Sequence, residues 1–168
     1  EKDVWVVWTL ATLFGSDLGE DLVFKGGTSL SKAYHVIRRF SEDVDLTYDI
    51  RAIAGDLIEQ AGTPLPANKS QEKKWSKEIR TRLADWVLNE VAPGLQRDLE
   101  QHRLSAAVRV EEDKVFIDYP SLTSGTGYVS SAVMLEFGAR STGEPSEPRT
   151  VHCDAAAHLP GVLFPQAT

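Results

Sequence analysis

Two aspartates one residue apart, Asp43 and Asp45 in "EDVDLT", and a glycine pair upstream, Gly26 and Gly27 in "FKGGTS", have types and spacing that can do chemistry. In an extended strand, residues i and i+2 point to one face. The two carboxylates would then stand side by side while Val44 and Leu46 point to a core. Carboxylates that close repel one another unless a cation lies between them. A hard divalent ion such as Mg2+ suits oxygen-only ligation and keeps positions open for water and phosphate. The glycines let the backbone approach a phosphate with no Cβ in the way. Thr28 and Ser29 add hydroxyls, and a helix N-terminus behind them would offer free N–H groups and a positive dipole end to an anion. Taken alone, an Asp-x-Asp is also an ordinary polar strand edge.

Three chemistries compete for this pattern. A calcium loop starting at Asp43 would need glycine at its sixth position and glutamate at its twelfth. Tyr48 and Ala54 stand there instead, so that reading fails. A haloacid-dehalogenase-type phosphatase also carries Asp-x-Asp-x-Thr, as in "DVDLT", but its first aspartate ends an apolar strand. Here "RRFSE" precedes Asp43, and the strand is expected to begin at the aspartates. The phosphatase stays as an alternative. The third reading uses the glycines as a phosphate cradle. It is not a Walker loop, because no Gly-Lys-Ser/Thr follows. A cradle, then a helix, then a strand bearing two carboxylates is the layout of polymerase-β-like nucleotidyltransferases.

The elements that must position these residues follow from periodicity. Residues 3–14, "DVWVVWTLATLF", are apolar all round and read as a buried helix. "DLVFKGG" reads as a short strand ending near Phe24. Between Thr28 and Arg39, Leu30, Ala33, Tyr34 and Ile37 recur at helical spacing, with Ser31, Lys32, His35 and Arg38 on the other face. Thr28 or Ser29 would cap that helix, and Tyr34 is read as core. "DVDLTYDI" alternates as a half-buried strand. A helix is expected over 51–61, then a turn-rich link, "GTPLPANKS". Residues 70–91 place Trp75, Ile79, Leu83 and Val91 on one stripe, and a further helix should start at Pro93 and run to about His102. The runs "LSAAVRVEE", "KVFIDYPSL", "YVSSAVMLEFGAR" and "RTVHCDAAA" read as strands. The order implies a mixed α/β or α+β domain.

Composition sets the outer bounds. At 168 residues and 42% hydrophobic, the chain can bury one core, so a single domain over 1–168 is expected. The absence of an initiator Met and the ending in "GVLFPQAT" read as a fragment of a longer protein. The single cysteine, Cys153, excludes an internal disulfide framework and fits a cytoplasmic setting. No run is long enough to span a membrane. A net charge of −7 argues against coating nucleic acid non-specifically. Against that background, Lys69, Lys73, Lys74, Lys77, Arg80 and Arg82 make one helix start basic, either as a solvated face or as a track for an RNA acceptor. A zinc site at His152, Cys153, Asp154 and His158 is rejected, since 152 and 153 point to opposite sides of a strand.

"FKGGTSLSKAY" followed by "RFSEDVDL" resembles the signature of the AbiEii/AbiGii toxin nucleotidyltransferases, a family that includes the MenT toxins. The N-terminal segment "EKDVWVVWTLATLF" and the later "YVSSAVMLEFGARS" are similar to further parts of that family. The resemblance implies a polymerase-β-like core, a mixed or antiparallel sheet flanked by helices. It also implies that a C-terminal helical part of the family is missing here.

It further implies a metal-dependent transfer of a nucleoside monophosphate from an NTP to an acceptor, the 3′ end of tRNA for some members. A cognate antitoxin encoded nearby would accompany such a toxin. Asp43 and Asp45 would hold Mg2+ (or Mn2+), with Glu136 as the third carboxylate. Leu135 and Phe137 would face the core and Glu136 the opposite side. Gly26, Gly27, Thr28 and Ser29 would cradle phosphates, Lys25 and Lys32 would neutralise charge, and Arg140 matches a family arginine. A non-catalytic nucleotide-binding or interaction module is the other alternative.

Overall fold

The computed structural model describes residues 1–38, 43–63, 65–122 and 131–168. The first helix, α1 (Lys2–Phe14), is buried through Val6, Val7, Leu10 and Leu13, as its all-round apolar pattern requires. Trp5 stacks on Tyr119 with ring centroids 5.3 Å apart, tying the helix to the sheet region. The chain then gives β1 (Leu22–Lys25), α2 (Gly26–Lys32), β2 (Asp43–Asp49) and α3 (Ile50–Ala61). Asp49 caps α3 by accepting from the Arg51 amide, and Gly62, at φ +69°, ends it.

A long helical stretch follows. α4 (Lys69–Trp86) is capped by Asn68, passes through one widened turn at Val87–Val91, and continues as α5 (Ala92–Gln101). The expected break before Pro93 is therefore a π-turn rather than a loop. Proline has no N–H, and its ring crowds the carbonyl four residues back. The ladder shifts to i→i−5 there, with the Ala92 amide donating to the Val87 carbonyl, and the helix passes the proline without stopping.

Three strands complete the main sheet: β3 (Ala107–Glu111), β4 (Lys114–Asp118) and β5 (Ala132–Ser141). Their order is β1-β2-β5-β4-β3. β2 and β5 are parallel, and the other neighbours are antiparallel. The mixed sheet with flanking helices is the expected fold class. Val44 and Leu46 on β2, Val115 and Ile117 on β4, and Val133, Leu135 and Phe137 on β5 are buried together with the inner faces of α1 and α4. Two short strands, β6 (Val151–His152) and β7 (Gln166–Ala167), pair beside α1.

Several expectations are corrected. The helix expected over Thr28–Arg39 starts at Gly26 and stops at Lys32, with neither Thr28 nor Ser29 as its cap. His35 then takes a left-handed conformation at φ 54°, and the Val36 amide closes back onto the Leu30 carbonyl. Its faces are only partly as expected: Ala33 is in the core, but polar residues are buried beside it. Thr28, Ser29 and Lys32 are buried, whereas Leu30 is 44% exposed. Tyr34 is not core: its exposed ring lies under the Arg149 guanidinium, 4.2 Å away. The run "RTVHCDAAA" gives only β6 and then a 3-10 turn at Asp154–Ala157. Arg39 to Glu42, Pro64 and Tyr128 to Ser130, on which other sequence readings fall, lie outside the described residues.

Candidate active site

Asp45 stands at the middle of the site. It lies directly between Lys25 of β1 and Glu136 of β5, its register partners on either side. The alternation of β2 produces this placement. Val44 and Leu46 are fully buried, so Asp43 and Asp45 are carried to the other face. On β5 the same logic buries Leu135 and Phe137 and leaves Glu136 exposed. Glu136 also reaches Lys114 of β4 at 3.4 Å.

Burial and the neighbouring charges raise the Asp45 carboxyl above its ordinary value. Burial contributes most, then repulsion from Glu136, partly offset by the Lys25 ammonium, with Asp43 adding further repulsion. Lys25 lies across β2, its Nζ 3.8 Å from the point where a side chain on Gly138 would begin.

Gly26 is required twice over. Its φ is +75°, a conformation that L side chains rarely adopt. A Cβ there would also sit 1.9 Å from Asp45 Oδ2 and 2.7 Å from its Cγ. The glycine therefore gives the Asp45 carboxylate room against the start of α2. This couples the two halves of the motif physically, although they are far apart in sequence.

Other expected residues are placed differently. The Thr28 hydroxyl donates to the Asp43 backbone carbonyl, so it fixes the start of β2. Ser29 is buried and lines a separate apolar cavity of about 260 Å3 behind α2, with Leu10, Phe24, Tyr34 and Arg149. Lys32 is turned away from Asp45: its ammonium pairs with Asp3 of α1 and lies 2.8 Å from Asp154. At 7% exposure this is a buried tie between α2, α1 and the C-terminal segment. Arg140 belongs to β5, but its side chain lies outside the described residues. His152 is exposed and Cys153 buried, on opposite sides of the chain, and burial pushes the Cys153 thiol up to about 11.

The Asp45 group opens into a cleft of about 630 Å3. Its sheet wall carries Lys25, Asp45, Glu136 and Gly138, and α4 forms a facing wall with Glu72, Trp75, Ser76, Ile79, Arg80 and Leu83. The sequence reading recognised Trp75, Ile79 and Leu83 only as a core stripe. The neighbouring positions 72, 76 and 80 repeat at i+4 and lie next to that stripe, which is the signal that could have marked them as a second wall.

The donors suit a hard divalent cation: all are carboxylate oxygens, and Asp45 is held in a field that disfavours its own charge. Among the described residues, no three His, Cys, Asp or Glu side chains converge on one point as a preformed metal cage. Asp45 and Glu136 line the cleft together, whereas Asp43 lies one pleat further along β2. β2 runs on from Asp43 to Asp49, so Asp43 does not end its strand, and the glycine-opened α2 packs against the aspartate pair. A phosphatase nucleophile would end its strand, so this geometry removes the phosphatase alternative.

Comparison with known proteins adds the following. Residues 8–168 match the family described as "Nucleotidyl transferase AbiEii toxin, Type IV TA system". No curated protein matches the chain. Among solved structures, the chain is similar to MenT4, the nucleotidyltransferase toxin Rv2826c from Mycobacterium tuberculosis H37Rv. The identity is 20% and the TM-score 0.48, with 99% of this chain and 46% of that one covered. The chain thus spans under half the length of that toxin.

Proposed function

Since this chain belongs to the AbiEii nucleotidyltransferase toxin family, we propose that it moves a nucleoside monophosphate from an NTP to an acceptor, releasing pyrophosphate. The acceptor proposed is the 3′ end of tRNA. The biological setting is a toxin–antitoxin or abortive-infection system acting in the cytoplasm, with a cognate antitoxin as partner. The observation that carries the reading is the row Lys25–Asp45–Glu136 across three neighbouring strands, with Gly26 shaped around the Asp45 carboxylate.

In this reading Asp45 and Glu136, with Asp43 beside them, would hold Mg2+ or Mn2+. When bound, the metal would polarise the transferred phosphoryl group and favour ionisation of the attacking hydroxyl. The chain's own residues do the remaining work. Lys25 lies over the cleft and meets phosphate charge. Gly26 and Gly27 keep Cβ atoms away from the approaching tail. Thr28 holds the Asp43 backbone so that the two carboxylates keep one face. The wall of Trp75, Ile79 and Leu83 excludes water from one side of the cleft.

The test is incorporation of labelled NTP into total tRNA in the presence of Mg2+, for the wild type, Asp43→Ala and Asp45→Ala. Labelling that disappears in both variants supports the assignment. Labelling by either variant at the wild-type level overturns it. A non-catalytic module would instead leave cells equally impaired by expression of wild type and Asp45→Ala.

A further inference from the structure

The cleft presents four carboxylates, Asp45, Glu136, Asp113 and Glu72, against two cations among the described residues, Lys25 and Arg80. Four other arginines are committed to acids, and Arg38, Arg97 and Arg103 do not line the cleft. Arg51 pairs with Asp49, Arg82 with Asp56 and Glu78, Arg109 with Asp118 and Glu111, and Arg149 with Glu147. Arg80 is exposed, lines the cleft, and has neither an ion pair nor a hydrogen bond among the described residues. Arg82, two positions along the same helix, is bound on both sides. Helical spacing explains the difference. Positions 72, 76 and 80 form one stripe facing the cleft, while 78 and 82 form another that turns to α3.

The phosphate-binding groups expected from the sequence are also fewer in the fold. Lys32 is consumed by Asp3 and Asp154, and the Thr28 and Ser29 side chains are buried. A triphosphate entering so acidic a cleft needs positive charge on the side away from the carboxylates.

We propose that Arg80 is a substrate-binding residue that grips the triphosphate tail of the NTP from the α4 wall, opposite Lys25. This rests on the nucleotidyltransferase reading above. A guanidinium suits the role because its planar fork can donate two parallel hydrogen bonds to phosphate oxygens. It stays charged throughout, so its task is binding and orientation rather than proton transfer. Lys73 is an internal comparison: it is exposed on the same helix but does not line the cleft.

The experiment measures equilibrium binding of each of the four labelled NTPs, and separately of inorganic tripolyphosphate, in the presence of Mg2+. The proteins are wild type, Arg80→Ala, Arg80→Lys and Lys73→Ala, each checked for an unchanged melting temperature. Loss of a charge-assisted contact should raise Kd for Arg80→Ala roughly tenfold or more, for both NTP and tripolyphosphate. Arg80→Lys should recover part of the loss, and Lys73→Ala should stay within about twofold, as a screened surface charge does. In turnover, Arg80→Ala should raise KM for NTP and leave KM for the acceptor unchanged.

Four results would overturn the proposal: a loss for NTP but not for tripolyphosphate, which points to the base; a rise only in acceptor KM; equal effects of Arg80→Ala and Lys73→Ala; or no NTP binding by the wild type. Failure of the catalytic reading is separable from these. If Asp45→Asn labels RNA as the wild type does while Arg80→Ala still loses tripolyphosphate, Arg80 is an anion site and the assigned catalytic centre is wrong.

Discussion

Replacing Gly26 by alanine is the most informative single change in this fold. The new Cβ would start 1.9 Å from Asp45 Oδ2, 2.7 Å from Cγ and 2.9 Å from Cβ, all far inside van der Waals contact. The backbone has little freedom to yield, since residue 26 both opens α2 and follows the last residue of β1. Two costs follow. Holding a non-glycine residue at φ +75° costs about 1–2 kcal/mol. Forcing the Asp45 side chain from its rotamer costs about 0.5–1.5 kcal/mol more. Together they give about 2–3 kcal/mol, which for a chain of this size lowers Tm by roughly 5–10 °C.

The effect on activity should exceed the effect on folding. The group displaced is the carboxylate at the centre of the site, and a misplacement of about 1 Å can cost on the order of 100-fold in rate. The assay is a thermodynamic cycle with Asp45→Ala, read by chemical denaturation, alongside labelling rates for the Gly26→Ala single variant. With the Asp45 carboxylate gone, Gly26→Ala should cost only its backbone term and the remaining 2.9 Å contact with the residue-45 Cβ, leaving a coupling of about 1 kcal/mol between the two positions. Additive energies, or Gly26→Ala with wild-type activity, would refute the claim that glycine is present to house Asp45.

Two further outcomes are expected. The Asp45 carboxyl is raised in the folded protein, so the folded state binds its proton more tightly than the unfolded chain; the stability this group contributes is complete at low pH and is lost as pH rises from about 3.8 through its folded pKa. Asp45→Asn should therefore raise Tm at pH 7, and its advantage should shrink as pH falls from there to about 3.8. Divalent cation should raise Tm of the wild type and not of the variant, as followed by differential scanning fluorimetry. Lys32→Met leaves the largely buried Asp3 without its cation. It should destabilise by about 2–4 kcal/mol in denaturant titrations and leave tripolyphosphate affinity near the wild-type value, unlike Lys25→Met.

Most of the sheet was legible because each strand alternates. Val44 and Leu46, or Leu135 and Phe137, announce a buried face, and the charged residues between them must then share the other. That rule placed Asp45 and Glu136 on open faces, but only tertiary pairing could make them neighbours, since register between distant strands is not written in either one. The α2 segment misled for a related reason. Lys32 is polar by type yet buried by its acid partners, and Leu30 is apolar yet exposed, so hydrophobic spacing matched the packing only at Ala33. Arg80 was hidden in a basic run because pairing status, which separates it from Arg82, depends on what α3 presents to α4.

The parallel pairing of β2 with β5 has a consequence for when the site comes into being. Asp45 and Glu136 meet across about 90 residues of intervening chain, so their contact is strongly non-local. A chain emerging from the ribosome would carry the glycines, both aspartates and the whole of α4 before Glu136 is made. The centre can be completed only once β5 docks into the slot between β2 and β4. The proposed centre would thus stay unassembled until that strand is made.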